Sequence, residues 1–174
     1  QVSCLLVRMK SLDDAGHAEL IARLETEWGM PRSEGHPDCR PMDWEQIREM
    51  HRGGMEIGSH GVAHKMLAKL PRAQMAAEVL GSKSTLERML DAQAHVLSYP
   101  LGGPDACDRE TVEVVRSAGF RMACSYVAGT SVVEPGSHYS MRRLPVEREM
   151  DGAWFEAMVT VPELFSYASK LRTG

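Results

Sequence analysis

Short apolar runs alternate with helical patterns along most of this chain, and that alternation limits the folds it can adopt. Runs at residues 55–58, 94–100 and 120–126 have the length of buried strands and are bounded by glycine, proline or polar residues. Helical patterns at residues 72–90 and 108–119 separate them. Strands that alternate with helices in this way are typical of an α/β fold with a largely parallel sheet.

The remaining elements follow from the same kinds of pattern. Asp43 is placed to cap a helix that runs to about Arg52, with Trp44, Ile47 and Met50 as its inward stripe. Further predicted elements are a strand at 2–7, a helix at 13–28, a strand at 141–146, and a helical tail at 154–171 interrupted near Pro162.

Composition and charge bound the class of protein. The 174 residues are 43% hydrophobic and 25% charged, which suits a single globular domain over residues 1–174 with a real hydrophobic core. A net charge of −4 argues against nucleic acid or an anionic membrane as the main partner. No apolar run approaches the length of a bilayer-spanning helix.

The chemistry of the chain concentrates in one short stretch, where an apolar run ends in Gly58-Ser59 and two histidines follow four positions apart, at His60 and His64. If residues 60–64 form a helical turn, both imidazoles face the same side and can share one metal ion. The zinc-protease helix uses the same spacing but has Glu after its first histidine, where this chain has Gly61. Alone the pair is a weak signal: it fits a divalent metal site, with zinc as the expected ion, and it also fits two surface histidines that coincide at this spacing.

The segments around this pair carry a family resemblance. In order they are Asp-Trp-Glu-Gln-Ile-Arg-Glu-Met at 43–50, Gly-Gly-Met-Glu-Ile-Gly-Ser-His at 53–60, and Tyr-Pro-Leu-Gly at 99–102. Over roughly residues 40–148 they resemble the polysaccharide deacetylase family, also called the NodB-homology or carbohydrate esterase family 4 group. The resemblance implies an irregular, incomplete (β/α) barrel, with the chemistry at the C-terminal ends of the strands.

Roles for individual residues follow from the resemblance alone. It implies that His60 and His64 are two ligands of a catalytic divalent metal, and that Tyr99, Pro100 and Gly102 line a substrate groove. The implied reaction is hydrolysis of the N-acetyl group of N-acetylglucosamine-type sugars. In such a reaction a metal polarises the acetyl carbonyl and activates water, while a carboxylate base and a general acid move the protons.

Several family motifs are missing or altered. The family's first motif, Thr-Phe-Asp-Asp-Gly, supplies the base and a third ligand, and the chain offers only Asp13 and Asp14, which are either a degraded copy or helix caps. We therefore expect an N-terminally truncated barrel that begins downstream of that motif, with its catalytic base and acid unassigned. Arg143 aligns with an arginine common in one subgroup, where it is either structural or orients a carboxylate. His138, in a loop, is not assigned as the catalytic acid.

Three functions stay open at this point. The first is a metal-dependent deacetylase acting on acetylated sugars, and the second is a minimal metallohydrolase that cleaves carboxylic or phosphoric esters. The third is a non-catalytic carbohydrate-binding or assembly domain. A truncated barrel exposes a strand edge and apolar surface, so we also expect a homo-oligomer, most simply a dimer.

Overall fold

The computed structural model of the chain describes residues 14–29, 39–101, 106–132 and 136–165, with isolated positions at 9, 12, 35 and 134. The chain divides into two compact units, residues 1–42 and residues 43–172. A compact unit is not by itself an independently folding domain, so one domain over 1–174 stays a prediction. The strand predicted at residues 2–7 lies outside the described residues.

The described part of the first unit is dominated by helix α1, Asp14–Trp28. Its end coincides with Gly29, whose φ of +60° suits glycine because no Cβ crowds the left-handed region. Arg23 and Glu27 form an exposed i,i+4 ion pair on its surface. The helix predicted at 13–28 is therefore confirmed.

The second unit contains the other helices and a three-stranded sheet. Its elements are α2 Trp44–Arg52, α3 Arg72–Leu90, β1 Val96–Ser98, α4 Arg109–Ser117, β2 Met122–Ala128, β3 Met141–Arg143 and α5 Gly152–Thr160. Single 3-10 turns lie at Leu67–Lys69, Ser137–Tyr139 and Pro162–Phe165. Among the described helices, none combines the length and the apolar character needed to cross a bilayer.

Helix boundaries follow from local chemistry. Asp43 accepts a hydrogen bond from the Gln46 amide while the Gln46 side chain accepts from the Asp43 amide, a capping box that starts α2 as predicted. Asp108 caps α4 through the amide and hydroxyl of Thr111. These two contacts also hold the pKa of Asp108 below its usual range.

The sheet is entirely parallel among the described strands, in the order β1-β2-β3. Leu97 pairs with Ala123 in the first register, and Cys124 pairs with Met141 in the second. Parallel strands need a crossover connection. Helix α4 supplies the one between β1 and β2, and residues 129–140, with the 3-10 turn at Ser137–Tyr139, connect β2 to β3. This architecture is the α/β fold with an incomplete barrel that the sequence predicts.

One predicted strand is wrong. Residues 55–58 run beside β1 without forming a ladder, and the pairing is a single bridge between Ser59 and Leu97. Met55 is exposed, so the run buries too little apolar surface to be held as a strand. Gly58 passes so close to Val96 that an added Cβ would lie 3.1 Å from its carbonyl oxygen.

The core lies between the sheet and helices α3 and α4. Leu97 and Ala123 contribute from the strands, Met75 and Val79 from α3, and Val115 from α4. Phe120, just before β2, is 2% exposed and lies under the ammonium group of Lys83. This core fixes β1, and β1 in turn fixes the position of the histidine stretch.

Candidate metal centre

The histidine pair is held at the C-terminal end of β1. The Ser59 amide donates to the Val96 carbonyl at 2.9 Å, and the Ser98 amide donates to the Ser59 carbonyl at 2.8 Å. These two bonds set residue 59 beside the strand, so that His60 begins a loop just where β1 ends. The C-terminal edge of a parallel sheet is where α/β enzymes usually place their chemistry.

The two imidazoles lie against one another. Their ring centroids are 4.9 Å apart and the rings meet edge to face at 73°. His60 is partly buried and His64 is exposed. Two histidines that bind one ion must lie about this close together. The structure therefore brings together the two rings that the His-x-x-x-His spacing singled out.

A hydrogen bond fixes the orientation of His60. Its Nδ1 lies 2.7 Å from the carbonyl oxygen of Ser98. A carbonyl can only accept, so Nδ1 carries the proton in this contact and Nε2 is left with a lone pair. Metal-binding histidines commonly use such a backbone partner to fix their tautomer.

Residues 60–64 form a loop, and the helical turn that was one way to pair the histidines does not form. Gly61 has φ +80° and His64 has φ +54°, so the backbone enters the left-handed region twice. Gly61 tolerates this conformation readily, whereas a histidine there is uncommon. The imidazoles meet because the loop doubles back, and not because they share a helix face.

The described side chains add no third candidate ligand to the histidine pair. Within the part of the chain that the structure describes, no three His, Cys, Asp or Glu side chains converge. The side chains of Asp13 and Asp14 lie outside that part. Thus the described part of the chain brings together two side chains of a type that binds metal ions, His60 and His64.

The residues predicted to line a substrate groove occupy different environments. Tyr99 is only 1% exposed, and its hydroxyl donates to the Tyr139 carbonyl at 2.8 Å. Burial, and secondarily the Cys107 thiol, raises the Tyr99 pKa. The ring thus anchors the end of β1 to the turn before β3 and offers no surface to a ligand in this conformation. Pro100 is buried beside Gly61, and Gly102 lies outside the described residues.

Arg143 lies on β3, at the edge of the three-stranded sheet opposite to β1. Its Nε donates to the Ser125 carbonyl at 2.7 Å, and its guanidinium lies over the Tyr126 ring. Its Nη2 is buried and has no hydrogen-bond partner among the described residues. The contacts to β2 fit a structural role, one of the two that the sequence leaves open for Arg143. His138, to which the sequence analysis assigns no catalytic role, lies against the Tyr139 ring.

Sequence reasoning missed the residues of α3 that contact the loop. The Ser59 hydroxyl lies 2.7 Å from that of Ser82, and both side chains are buried. Glu78, one turn earlier, reaches the loop backbone. The signal was available in the helix, because positions 78 and 82 share a face by i,i+4 spacing and carry polar groups beside the buried Met75 and Val79.

Comparison with known proteins gives the class. The family model for polysaccharide deacetylase matches residues 21–123. The protein YxkH of Bacillus subtilis (strain 168), which carries a polysaccharide deacetylase name, is 30% identical over 115 residues, 66% of this chain and 40% of the relative. The chain belongs to the polysaccharide deacetylase family.

Solved structures support the same fold. A deacetylase of Streptococcus pyogenes, PplD in complex with acetate, superposes with a TM-score of 0.62 at 19% identity, covering 76% of this chain and 54% of that one. A polysaccharide deacetylase of Bacillus cereus gives a TM-score of 0.61 at 18% identity, covering 80% and 47%. The chain thus spans two fifths of its curated relative and about half of each of these structures.

Proposed function

We propose that this chain forms part of a metal-dependent hydrolase that removes acetyl groups from N-acetylated sugars. Membership of the polysaccharide deacetylase family supports deacetylation as the reaction. The observation that carries the metal dependence is the His60–His64 pair, with ring centroids 4.9 Å apart at the end of β1. Deacetylation releases acetate, and the structure of the S. pyogenes deacetylase PplD is a complex with acetate.

In this proposal His60 and His64 would hold a divalent ion, most simply zinc. Such an ion, when bound, supplies Lewis acidity for an acetyl carbonyl and lowers the pKa of a coordinated water. The Ser98 carbonyl keeps the proton of His60 on Nδ1, so that Nε2 stays a ligand. His64 is exposed, which leaves the solvent side of the pair open to a sugar chain.

The family's first motif supplies two carboxylates, one as the third metal ligand and one as the base. Asp13 and Asp14 are candidates for the third ligand and the base, with helix capping as their alternative role. Arg143 contributes a buried guanidinium nitrogen that has no partner among the described residues. Its role stays open between a structural one and the orientation of a carboxylate, because Arg–carboxylate pairs are directional and strong.

The test is acetate release from acetylated chitooligosaccharides by wild type and by the His60→Ala/His64→Ala variant, after incubation with zinc. A deacetylase releases acetate in the wild type and falls to background in the variant. The same assay with a simple acetyl ester separates the alternative: ester turnover without sugar deacetylation supports a minimal metallohydrolase. That alternative draws on the fact that only two ligand side chains come together in the described part of the chain.

Glycan binding without any turnover would support the non-catalytic role and overturn the proposal.

The homodimer expected from an incomplete barrel also stays a proposal. Exposed apolar side chains on and after α5 support it, namely Trp154, Phe155, Val159, Val161 and Leu164. Light scattering at micromolar concentration tests it, and a stable monomer would contradict it.

A further inference from the structure

Glu78 makes an unusual contact for a carboxylate in the middle of a helix. Its Oε2 accepts hydrogen bonds from two successive backbone amides, those of Val62 and Ala63, each at 2.9 Å. These amides belong to the three-residue link between His60 and His64. Hydrogen bonds to an ionised acceptor are stronger than neutral ones, and one anion that takes two adjacent amides fixes the backbone between them.

The rest of the same helix face is shaped to receive the loop. Val62 packs closely over Gly81: a Cβ added at Gly81 would lie 3.3 Å from Val62 Cγ2. Ser82 holds the Ser59 hydroxyl at 2.7 Å, at the start of the loop. Positions 78, 81 and 82 follow the i, i+3, i+4 pattern of one helix face, so α3 presents a single docking strip to residues 59–63.

The loop needs such support because its own backbone is not regular. Gly61 and His64 both have positive φ, and a histidine in this region is favoured only where surrounding contacts determine it. The Val62 and Ala63 amides have no helical or strand partner, and Glu78 supplies their acceptor. Removing the carboxylate removes both bonds at once.

We infer that Glu78 is a positioning residue that holds the loop so that the imidazoles of His60 and His64 stay paired. The inference rests on the proposed function for its purpose, since pairing matters when the histidines share an ion. It adds a residue outside the histidine motif to the machinery of the site. Glu78 acts through the loop backbone and does not touch the reacting atoms.

The experiment compares Glu78→Ala, Glu78→Gln and the wild type, with Glu113→Ala as the matched control. Glu113 is also a helical glutamate, but it forms an exposed i,i+4 pair with Arg109. The first readout, on apo protein, is amide hydrogen exchange of Val62 and Ala63 together with the ring signals of His60 and His64 by nitrogen-15 NMR. The second readout is zinc affinity by calorimetry.

In Glu78→Ala we expect exchange of both amides to rise by about tenfold or more, because they lose their acceptor. Zinc affinity should fall by about 10- to 100-fold, the usual effect of losing a partner that orients a ligand. Glu78→Gln should restore most of both, because an amide oxygen can still accept from the two N–H groups. Glu113→Ala should match the wild type in both readouts.

Unchanged amide exchange and unchanged histidine signals in Glu78→Ala would overturn the inference. If Glu78→Ala fails to fold, Glu78→Asp takes its place, because its carboxylate is withdrawn from the two amides by one methylene. Faster exchange of Val62 and Ala63 in Glu78→Asp supports the inference, and exchange equal to that of the wild type overturns it. A wild type that binds no zinc would instead defeat the proposed function. The apo readouts still decide the role of Glu78 in that case, so the two failures are distinguishable.

Discussion

Helix α3 contacts two segments next to β1, Ala94 before its start and the histidine loop beside its C-terminal end, and the two segments depend on α3 differently. At the N-terminal end, Lys83 donates to the Ala94 carbonyl at 2.6 Å and Glu87 accepts from the Ala94 amide at 3.2 Å. Beyond the C-terminal end, Glu78 accepts from the amides of Val62 and Ala63. In each case polar side chains of one helix bind backbone groups of a segment beside it.

The surroundings of the two contacts explain the difference. Ala94 is 2% exposed and joins a core that would fix it without the lysine. Val62 and Ala63 are exposed, and their loop has left-handed backbone on either side, at Gly61 and His64. Contacts near Ala94 therefore add to stability, whereas contacts to the histidine loop determine geometry. Sites that carry chemistry are often held in this second way.

The largest effect is expected from a substitution in the core that surrounds Ala94, at the N-terminal end of β1. Phe120→Ala should lower the free energy of unfolding by about 3–5 kcal/mol, because it leaves a cavity at a side chain that is 2% exposed. Val132→Ala removes apolar atoms from a position that is 76% exposed and should change stability by about 0.5 kcal/mol or less. Urea titration monitored by circular dichroism measures both. Equal effects of the two substitutions would show that the core is not where we place it.

A smaller effect sharpens the comparison directly. Lys83→Met keeps the stem but removes the ammonium, so the Ala94 carbonyl loses its donor and Glu87 loses its ion pair at 2.8 Å. We expect a loss of about 1.5–3 kcal/mol, as for hydrogen bonds to charged groups. Amide exchange at Val62 and Ala63 should stay unchanged while the protein remains folded under native conditions. Faster amide exchange at Val62 and Ala63 in this variant would mean that the contacts at Ala94 and at the histidine loop are not independent.

The smallest effect is a pH dependence at the same end. The Lys83 hydrogen bond, against the opposing effect of burial, holds the pKa of Glu87 below its usual value of 4.5. A depressed folded-state pKa contributes stability above the unfolded pKa, and that contribution is lost as pH falls through the folded pKa. Because the pair is near the surface, we expect about 0.5 kcal/mol or less, lost below roughly pH 4.5.

Thermal unfolding of the wild type and Glu87→Gln between pH 3 and pH 7 checks this expectation. The difference in stability between the two proteins should shrink as the pH falls. A difference that stays constant over the whole range would show that Glu87 titrates alike in the folded and unfolded chain.

Regular elements were predictable from the sequence because their signals are local. The Asp43 cap and the helical pattern ending at Leu90 gave the limits of α2 and α3. The strand predicted at 55–58 was wrong, and the choice between loop and helical turn at 60–64 stayed open, because tertiary contacts decide the backbone there. Ser59 pairs with β1 once, and Glu78 holds the loop in a shape that residues 60–64 do not encode alone.

The candidate site was only partly predictable for the same reason. Spacing and family resemblance identified His60 and His64, and the structure brings their rings together. The resemblance also suggested Tyr99 as a groove residue, but its position in the fold buries it and commits its hydroxyl to Tyr139. A motif names the residues near a site, whereas their exposure depends on partners distant in sequence.

The measurement that tests the central claim most directly is metal content by plasma mass spectrometry after reconstitution with zinc. The proteins compared are the wild type, the His60→Ala/His64→Ala variant, and His138→Ala as a control at a histidine outside the pair. Binding by the pair predicts roughly one zinc ion per chain in the wild type and in His138→Ala, and none in the double variant. No zinc in the wild type, or equal zinc in the double variant, would contradict the assignment of His60 and His64 as metal ligands.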